Sequence, residues 1–349
     1  MRVVITGATG DVGTSLIEAL SQEPKVESVV GLARRRPEWK VPKTTWVEAD
    51  VATDDLGAVF RGADAVVHLA WLFQPTHDPL TTWRSNALGS IRVFDAVAAA
   101  GVDTLVYASS IGAYSPGQGR DPVDESWPTH ALPTAAYGRE KSYVERVLDT
   151  FEARYPECRV VRLRPGFIFK RESAPEQRRI FAGPLLPSLL ARPALIPVLP
   201  ALRGMEFQAL HTEDAAEAYR LALLSDVRGA FNVAADPVLD AATLGEWLGA
   251  RPVPVPVAAA RALMAAAWHL HLIPAEPALL DLALSLPVMD TTRARTELGW
   301  TPRHSATDAV GEFLAGLTAG AGMPTPPLDP AAGGRFRQQE FGTGVGERP

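Results

Sequence analysis

Tyr137 and Lys141 stand four residues apart in the segment YGREK. On a helix, positions i and i+4 share a face, so this spacing sets a phenol beside an ammonium. A free tyrosine has a pKa of about 10 and is a poor base at neutrality. A cation held close favours the phenolate and lowers that pKa. Such a pair can pass protons to and from a carbonyl or alcohol oxygen near neutral pH. The same spacing arises on ordinary surface helices, so the elements around the pair must decide between the two readings.

The first of these elements is a glycine loop. Arg2–Thr6 (RVVIT) is a short run of β-formers, followed by Gly7-Ala8-Thr9-Gly10-Asp11-Val12-Gly13 and a helical pattern from Thr14. Strand, glycine loop and helix in that order form a phosphate cradle. Gly7 permits the tight turn, Gly10 lets the backbone approach a pyrophosphate, and Gly13 lets the helix pack on the strand. The spacing is G-x-x-G-x-x-G rather than the more usual G-x-G-x-x-G.

The first half of the chain alternates strand and helix. Apolar runs at Val26–Ala33, Thr45–Val51, Ala65–Ala70, Thr104–Ser109 and Arg159–Leu163 predict further strands, with helical patterns such as Asn86–Ala100 between them. Continuous apolar strands alternating with helices predict an α/β fold, a doubly wound Rossmann parallel sheet covered on both faces. A cofactor then belongs at the carboxyl ends of the strands.

The end of the second strand bears on cofactor choice. An NAD site wants an acid about twenty residues beyond the loop, for the ribose 2′-hydroxyl. Ala33 stands there, followed by Arg34, Arg35 and Arg36. A guanidinium can pair with a 2′-phosphate, which favours NADP(H) over NAD(H). The competing reading is a solvated basic turn before Pro37.

Composition narrows the class. The net charge of −6 argues against a nucleic-acid partner. The single cysteine, Cys158, excludes an internal disulfide and a cysteine-based zinc site. The histidines are scattered, and His269 and His271 are too close in sequence to converge on a metal from one helix face, so no metal is expected. The chain opens directly on MRVVIT without a signal-peptide pattern, and a cytoplasmic location is expected. Val257–Leu272 is apolar but interrupted by Arg261, His269 and His271 and too short to span a membrane, so it is read as a buried helix and no membrane partner is expected.

Taken together the motifs resemble the extended short-chain dehydrogenase/reductases, the NAD-dependent epimerase/dehydratase family. The pieces that carry the resemblance are TGATGDVG at Thr6–Gly13, AD at Ala49–Asp50, HLA at His68–Ala70, Asn86 in NALGSIRVFDAV, YASSIGAY at Tyr107–Tyr114, YGREK at Tyr137–Lys141 and LRPG at Leu163–Gly166. HTEDAAEAY at His211–Tyr219, FNVA at Phe231–Ala234 and LGWTP at Leu298–Pro302 follow in the family's order. The resemblance implies that Tyr137 is the acid/base and that Lys141 lowers its pKa and holds the nicotinamide ribose. Ser110 is the implied partner of the reacting oxygen, with Ser109 the competing candidate. Thr6, Gly7, Thr9, Gly10, Asp11, Val12 and Gly13 are the implied phosphate loop, and Asp50 and Val51 the adenine contacts. Ala70, Ser109, Pro165 and Gly166 fall along the implied cofactor path. Asn86 matches a helix asparagine near the cofactor, where a purely structural role is equally compatible. His211 and Asp214 match a family signature and are read as structural, with Thr212 able to cap the helix.

The resemblance further implies a nucleotide domain of residues 1–165 joined by 210–235. A smaller, mostly helical substrate lobe comprises 166–209 and 236–318. Residues 319–349, rich in Gly, Pro and polar residues, are expected to be a disordered tail. Family members are often homodimers, and the resemblance implies the same expectation for this chain. The implied chemistry is hydride transfer between nicotinamide and a small-molecule substrate.

Two departures restrict the reaction. Ser110 is followed by Ile111, Gly112 and Ala113 where the family's dehydratases carry an acidic pair, which removes dehydration. Arg164 is followed by Pro165 and Gly166 rather than the asparagine of the nucleotide-sugar epimerases. An NAD(P)-dependent oxidoreductase acting on a small carbonyl or hydroxyl compound is therefore the leading expectation. A nucleotide-sugar epimerase with tightly held NAD is the alternative, and a non-catalytic NADP(H) sensor a third. The apolar segment Phe181–Leu202 reads equally as a pocket lining for an apolar substrate or as buried packing, while Arg178, Arg179 and Arg203 leave an anionic substrate open.

Overall fold

The computed structural model describes residues 1–73, 77–117, 121–183, 196–332 and 334. Its centre is a seven-stranded parallel sheet. In chain order its strands are β1 (Arg2–Thr6), β2 (Ser28–Ala33), β3 (Thr44–Glu48), β4 (Ala65–His68), β5 (Thr104–Ala108), β6 (Arg159–Pro165) and β11 (Gly229–Val233). Across the sheet they run β3-β2-β1-β4-β5-β6-β11. The order reverses between β1 and β4, which opens a crevice above the carboxyl ends of those two strands.

Both faces of the sheet are covered, and β1 shows why the sequence reads as it does. Val3 and Ile5 join the layer formed with α1 (Asp11–Gln22) and α7 (Thr212–Leu224), where Leu16, Ile17, Leu20, Tyr219 and Trp300 are buried. Val4 points the other way, into the layer of α4 (Gly89–Ala100) and α5 (Ala136–Arg154) with Phe94, Val97, Val144, Leu148 and Phe151. Alternate side chains of a strand face opposite sides, so a sheet buried on both sides needs an unbroken apolar run. Short helices α2 (Gly57–Phe60) and α3 (Pro79–Trp83) complete the first half. The helix expected from Asn86 starts two residues earlier with a π-turn, Arg84–Leu88, which leads into α4.

The remaining elements lie mostly in the second half. Three short strand pairs are β7 (Phe167–Phe169) with β10 (Ala209–His211), β8 (Val198–Leu202) with β13 (Arg251–Val255), and β9 (Glu206–Phe207) with β12 (Leu239–Asp240). The helices are α6 (Ala174–Phe181), α8 (Ala241–Leu248), α9 (Val257–His269), α10 (Pro277–Ala283), α11 (Thr292–Thr296) and α12 (Ala306–Ala319). No helix among the described residues is long and apolar enough to cross a membrane.

Two expectations need correction. Val257–Leu272 is not a buried helix: α9 has no fully buried residue, and Leu263 is 75 % exposed. Its apolar character comes largely from alanines, and Arg261 pairs with Asp281 of α10 at its exposed edge. The tail is also not loose directly after α12. Leu328 is fully buried, and the Thr325 hydroxyl donates to the Thr9 carbonyl at 2.9 Å. The Arg179 guanidinium donates to the carbonyls of Pro327 and Asp329. One leucine and a few backbone carbonyls anchor a stretch whose composition alone does not predict packing. Residues 335–349 lie outside the described residues, as do 184–195 of the apolar Phe181–Leu202 segment.

Candidate active site

The crevice is built from strand ends. Beyond β1 comes the glycine loop, beyond β4 Leu69 and Ala70, beyond β5 Ser109 and Ser110, and beyond β6 Gly166. Gly7 adopts φ +71°, and a Cβ there would lie 2.6 Å from the Ala70 amide nitrogen. A Cβ on Gly13 would meet the Gly7 carbonyl oxygen at 2.6 Å, so loop and helix touch as backbone on backbone. Above Gly10 a Cβ would meet only the Gly7 oxygen, at 3.4 Å. Gly10 is the N-cap of α1 and brings no side-chain cap. The first amides of α1 therefore face a clear approach, which suits a pyrophosphate.

Thr6 belongs to a buried hydrogen-bonded chain beneath this loop. Its hydroxyl lies 2.7 Å from His68 Nδ1, and His68 Nε2 lies 2.9 Å from the Ser90 hydroxyl. Ser90 donates to the Asn86 carbonyl at 2.5 Å, so it accepts from His68 Nε2–H. That assigns Nδ1 as acceptor and Thr6 as donor, while the Ala70 amide donates to the Thr6 oxygen at 3.3 Å. Burial pulls the His68 pKa down to about 3, and the ring is neutral. Asn86 clamps the loop after β4: its Oδ1 accepts from the Leu72 amide at 2.6 Å and its Nδ2 donates to the Leu72 carbonyl at 3.0 Å. Asn86 also donates to Glu140 Oε2 at 2.7 Å.

The first turns of α5 deliver Tyr137 and Lys141. Tyr137 lies against Gly112, where a Cβ would come within 2.7 Å of its ring. Its phenol is turned towards Ser110. The Ser110 oxygen accepts from the Gly112 amide at 3.0 Å, leaving its proton to donate. Burial pushes the Tyr137 pKa up to about 12, and the nearby Ser110 hydroxyl opposes that rise. This differs from the expected depression by Lys141. The Lys141 ammonium lies 6.0 Å from the Tyr137 ring centre, donates to the Ala108 carbonyl at 2.6 Å and sits 3.5 Å from the centre of the Trp71 ring. Burial instead lowers the pKa of Lys141 itself to about 7, opposed by Glu145 and Glu140.

The two serines separate cleanly. Ser109 donates to Glu145 at 2.5 Å, inside a buried network in which Glu145 also meets Arg162 and Arg164. That network holds the Glu145 pKa down at about 2 despite its burial. The Ser109 hydroxyl is thus spent in the core, and Ser110 alone of the pair meets Tyr137. Gly166 is forced by contact, since a Cβ would stand 2.4 Å from the Gln208 carbonyl oxygen. Pro165 ends β6 one residue before it.

At the tip of β2, Arg34 and Arg35 are exposed. Arg34 lies within coulombic reach of Asp50, whose carboxylate accepts from the Ala52 amide at 2.9 Å. Val51 is buried among the residues of the α4 layer. His211 rather than Thr212 caps α7, accepting from the Glu213 amide at 3.3 Å. Asp214 is buried and accepts from the backbone amides of Arg303 and His304 and from the His304 ring. Both residues anchor the segment before α12. The ligating atoms of His211, Glu213 and His304 lie within 4.8 Å of one another, with His211 Nε2 3.3 Å from Glu312 and His304 Nδ1 3.0 Å from Asp214.

Several residues at the site escape a reading by motif. Glu140, inside YGREK, is buried and ties α5 to Asn86 and to the Thr82 hydroxyl. Trp71 and Phe73 stand over Tyr137 and Lys141, with Phe73 edge-on to Tyr137 at 4.3 Å and Phe181 5.4 Å from Phe73. Their only sequence signal is position, just after HLA. His77 stacks on Trp268 at 4.0 Å, fastening the segment beyond this loop to the end of α9.

Comparison with known proteins gives this geometry a context. The sequence model of the NAD dependent epimerase/dehydratase family matches residues 3–234. The chain belongs to that family. An uncharacterized protein of Mycobacterium tuberculosis is 27 % identical over 342 residues, covering 94 % of this chain and 86 % of that protein. A UDP-glucose 4-epimerase of Azospirillum brasilense is 27 % identical over 337 residues, covering 88 % of this chain and 89 % of that protein. Among solved structures, the UDP-glucose 4-epimerase of Thermus thermophilus in complex with NAD is similar with a TM-score of 0.67 at 21 % identity, covering 91 % of this chain and 99 % of that one. This structural likeness speaks for the fold. Family membership makes a nicotinamide dinucleotide the cofactor class, and the open, uncapped start of α1 fits one.

Proposed function

We propose that this member of the epimerase/dehydratase family transfers a hydride to or from a carbon bearing oxygen, with Tyr137 as its acid/base. The observation that carries this reading is the placing of the Tyr137 phenol against Ser110 and Gly112 at the end of β5, beside the cradle of the glycine loop. When bound, a nicotinamide ring supplies the hydride-accepting or hydride-donating carbon. The protein supplies the rest. In oxidation the Tyr137 phenolate takes the substrate's hydroxyl proton. In reduction the phenol returns a proton to the carbonyl oxygen, and Ser110 donates to the developing oxyanion. Burial favours the protonated phenol, so the reductive half starts from the form this structure prefers.

The comparisons favour an epimerase over a net oxidoreductase. The Azospirillum brasilense 4-epimerase aligns along nearly the whole of both chains. In such a reaction a ring hydroxyl is oxidised to a ketone, the sugar turns, and the same hydride returns to the other face. A second reading, net oxidoreduction of a small apolar carbonyl compound, is favoured by the aromatic rings of Trp71 and Phe73 against Tyr137, with Phe181 packed behind Phe73. For the cofactor, Arg34 and Arg35 favour NADP(H), whereas the family description and the NAD-bound similar structures favour NAD(H).

Incubation with NAD and UDP-glucose or UDP-galactose separates these readings. Interconversion of the sugars without net accumulation of reduced cofactor supports the epimerase. Steady NAD(P)H turnover on apolar ketones, with no binding of UDP, supports the oxidoreductase. Full activity in a Tyr137→Phe variant on the active substrate would overturn the shared mechanism. Binding of NADH and NADPH to the wild type and to Arg34→Ala decides the cofactor. A tenfold preference for NADH would remove the role given to Arg34.

A further inference from the structure

A buried cluster of charge sits directly beside the phosphate cradle and has no part in the chemistry of Tyr137. Asp11 is the first residue of α1. Its carboxylate accepts from the Thr212 hydroxyl at 3.1 Å. Lys170 follows β7 and is only 4 % exposed. Its ammonium lies 3.8 Å from the Asp11 carboxylate and donates to the Asp11 carbonyl at 3.1 Å, the Thr14 hydroxyl at 2.6 Å and the Ser15 hydroxyl at 3.3 Å. Met323 covers it, with sulfur 3.8 Å from the ammonium. Glu176 of α6 is a second carboxyl facing Asp11, and both Lys170 and Arg179 act on it.

An acid at this place conflicts with the job of the helix start. The free amides of a first turn attract anions, and an aspartate there is welcome when no other anion binds. A pyrophosphate settling on the same amides would share this first turn with the Asp11 carboxylate, a second negative charge. We propose that Lys170 is a positioning residue of the dinucleotide site: it neutralises Asp11 and fixes the first turn of α1, so that this turn can accept a pyrophosphate. The inference rests on the reading of the glycine loop as a dinucleotide cradle. Burial supports it, since it raises the Asp11 pKa and Lys170 opposes that rise. An uncompensated charge within one helical turn of a phosphate is worth on the order of 10- to 100-fold in affinity.

The test measures binding to Lys170→Met, Asp11→Asn and the double variant. NADH is followed by fluorescence, and ADP and adenosine by calorimetry, with thermal unfolding recorded for each protein. Lys170→Met is expected to weaken NADH and ADP by 10- to 100-fold and adenosine by less than threefold. Asp11→Asn alone is expected to bind ADP at least as tightly as the wild type. The double variant is expected to recover most of the loss, which a lysine contacting phosphate directly, or serving stability alone, would not produce. Unchanged binding in Lys170→Met, or a double variant no tighter than Lys170→Met, overturns the proposal. If Lys170→Met does not fold, Asp11→Asn decides by itself, and a loss of more than threefold in ADP affinity refutes the idea. A folded wild type that binds no dinucleotide overturns the functional reading, and this inference with it.

Discussion

Replacing Lys141 by methionine should make the protein more stable in mild acid while abolishing its activity. The lysine is 3 % exposed, and burial takes its pKa from 10.5 to about 7. At about 1.4 kcal/mol per tenfold change in proton affinity, folding with a charged Lys141 costs up to about 5 kcal/mol below pH 7. The substitution also loses the bond to the Ala108 carbonyl and the contact over Trp71, which together offset about 2–4 kcal/mol. A net gain of about 1–3 kcal/mol remains at pH 6. The pH dependence is the sharper test. Because the folded pKa lies below the unfolded one, the unfolded chain holds the extra proton between about pH 7 and 10.5. The wild type therefore gains stability as pH rises through that window, while the variant lacks this contribution. Urea unfolding of both proteins at pH 6 and pH 9.5 should show the variant's advantage shrinking by up to about 3 kcal/mol. The difference between the two proteins removes the opposite trend from Glu176, whose pKa burial raises to about 8. An advantage that is constant or grows with pH would refute the claim that Lys141 is held partly neutral by burial.

Other perturbations probe the frame of the site. Gly166→Ala places a Cβ 2.4 Å from the Gln208 carbonyl oxygen and should destabilise the protein by about 1–3 kcal/mol, measured by thermal or urea unfolding. Asn86→Leu strands the Leu72 amide and one Glu140 oxygen, at a cost of about 2–4 kcal/mol. It should also speed amide exchange at Leu72, which mass spectrometry can follow. Truncation after Gly320 removes buried Leu328 and Thr325 and should cost about 2–3 kcal/mol. An unchanged unfolding midpoint would show that the segment contributes nothing to the fold.

Much of the fold was legible because burial on both faces leaves a plain imprint. β1, β4 and β5 are unbroken apolar runs, and the glycines of the loop sit where backbone must touch backbone. α9 and the 320–332 segment were misread for the opposite reason. Alanine-rich composition does not say whether a face is covered, and a Gly/Pro-rich stretch with one well-placed leucine packs where a pocket exists for it. At the site, i,i+4 spacing put Tyr137 and Lys141 on one helical face, whereas Ser110, distant in sequence, was joined to them only through the family resemblance.

The amino-acid sequence by itself determined the doubly wound sheet, the glycine loop after β1 and the sharing of one helical face by Tyr137 and Lys141. Each is encoded in short-range periodicity and in residues needed within a few positions of one another. Tertiary structure decided the electrostatics. It sent Ser109 into the Glu145 network, set Lys141 over Trp71 rather than against the phenol, and raised rather than lowered the proton affinity of Tyr137. It also brought Lys170 onto Asp11, 159 residues away in sequence. Charge and desolvation act through space, and no pattern along the chain records which distant side chain will remove the water.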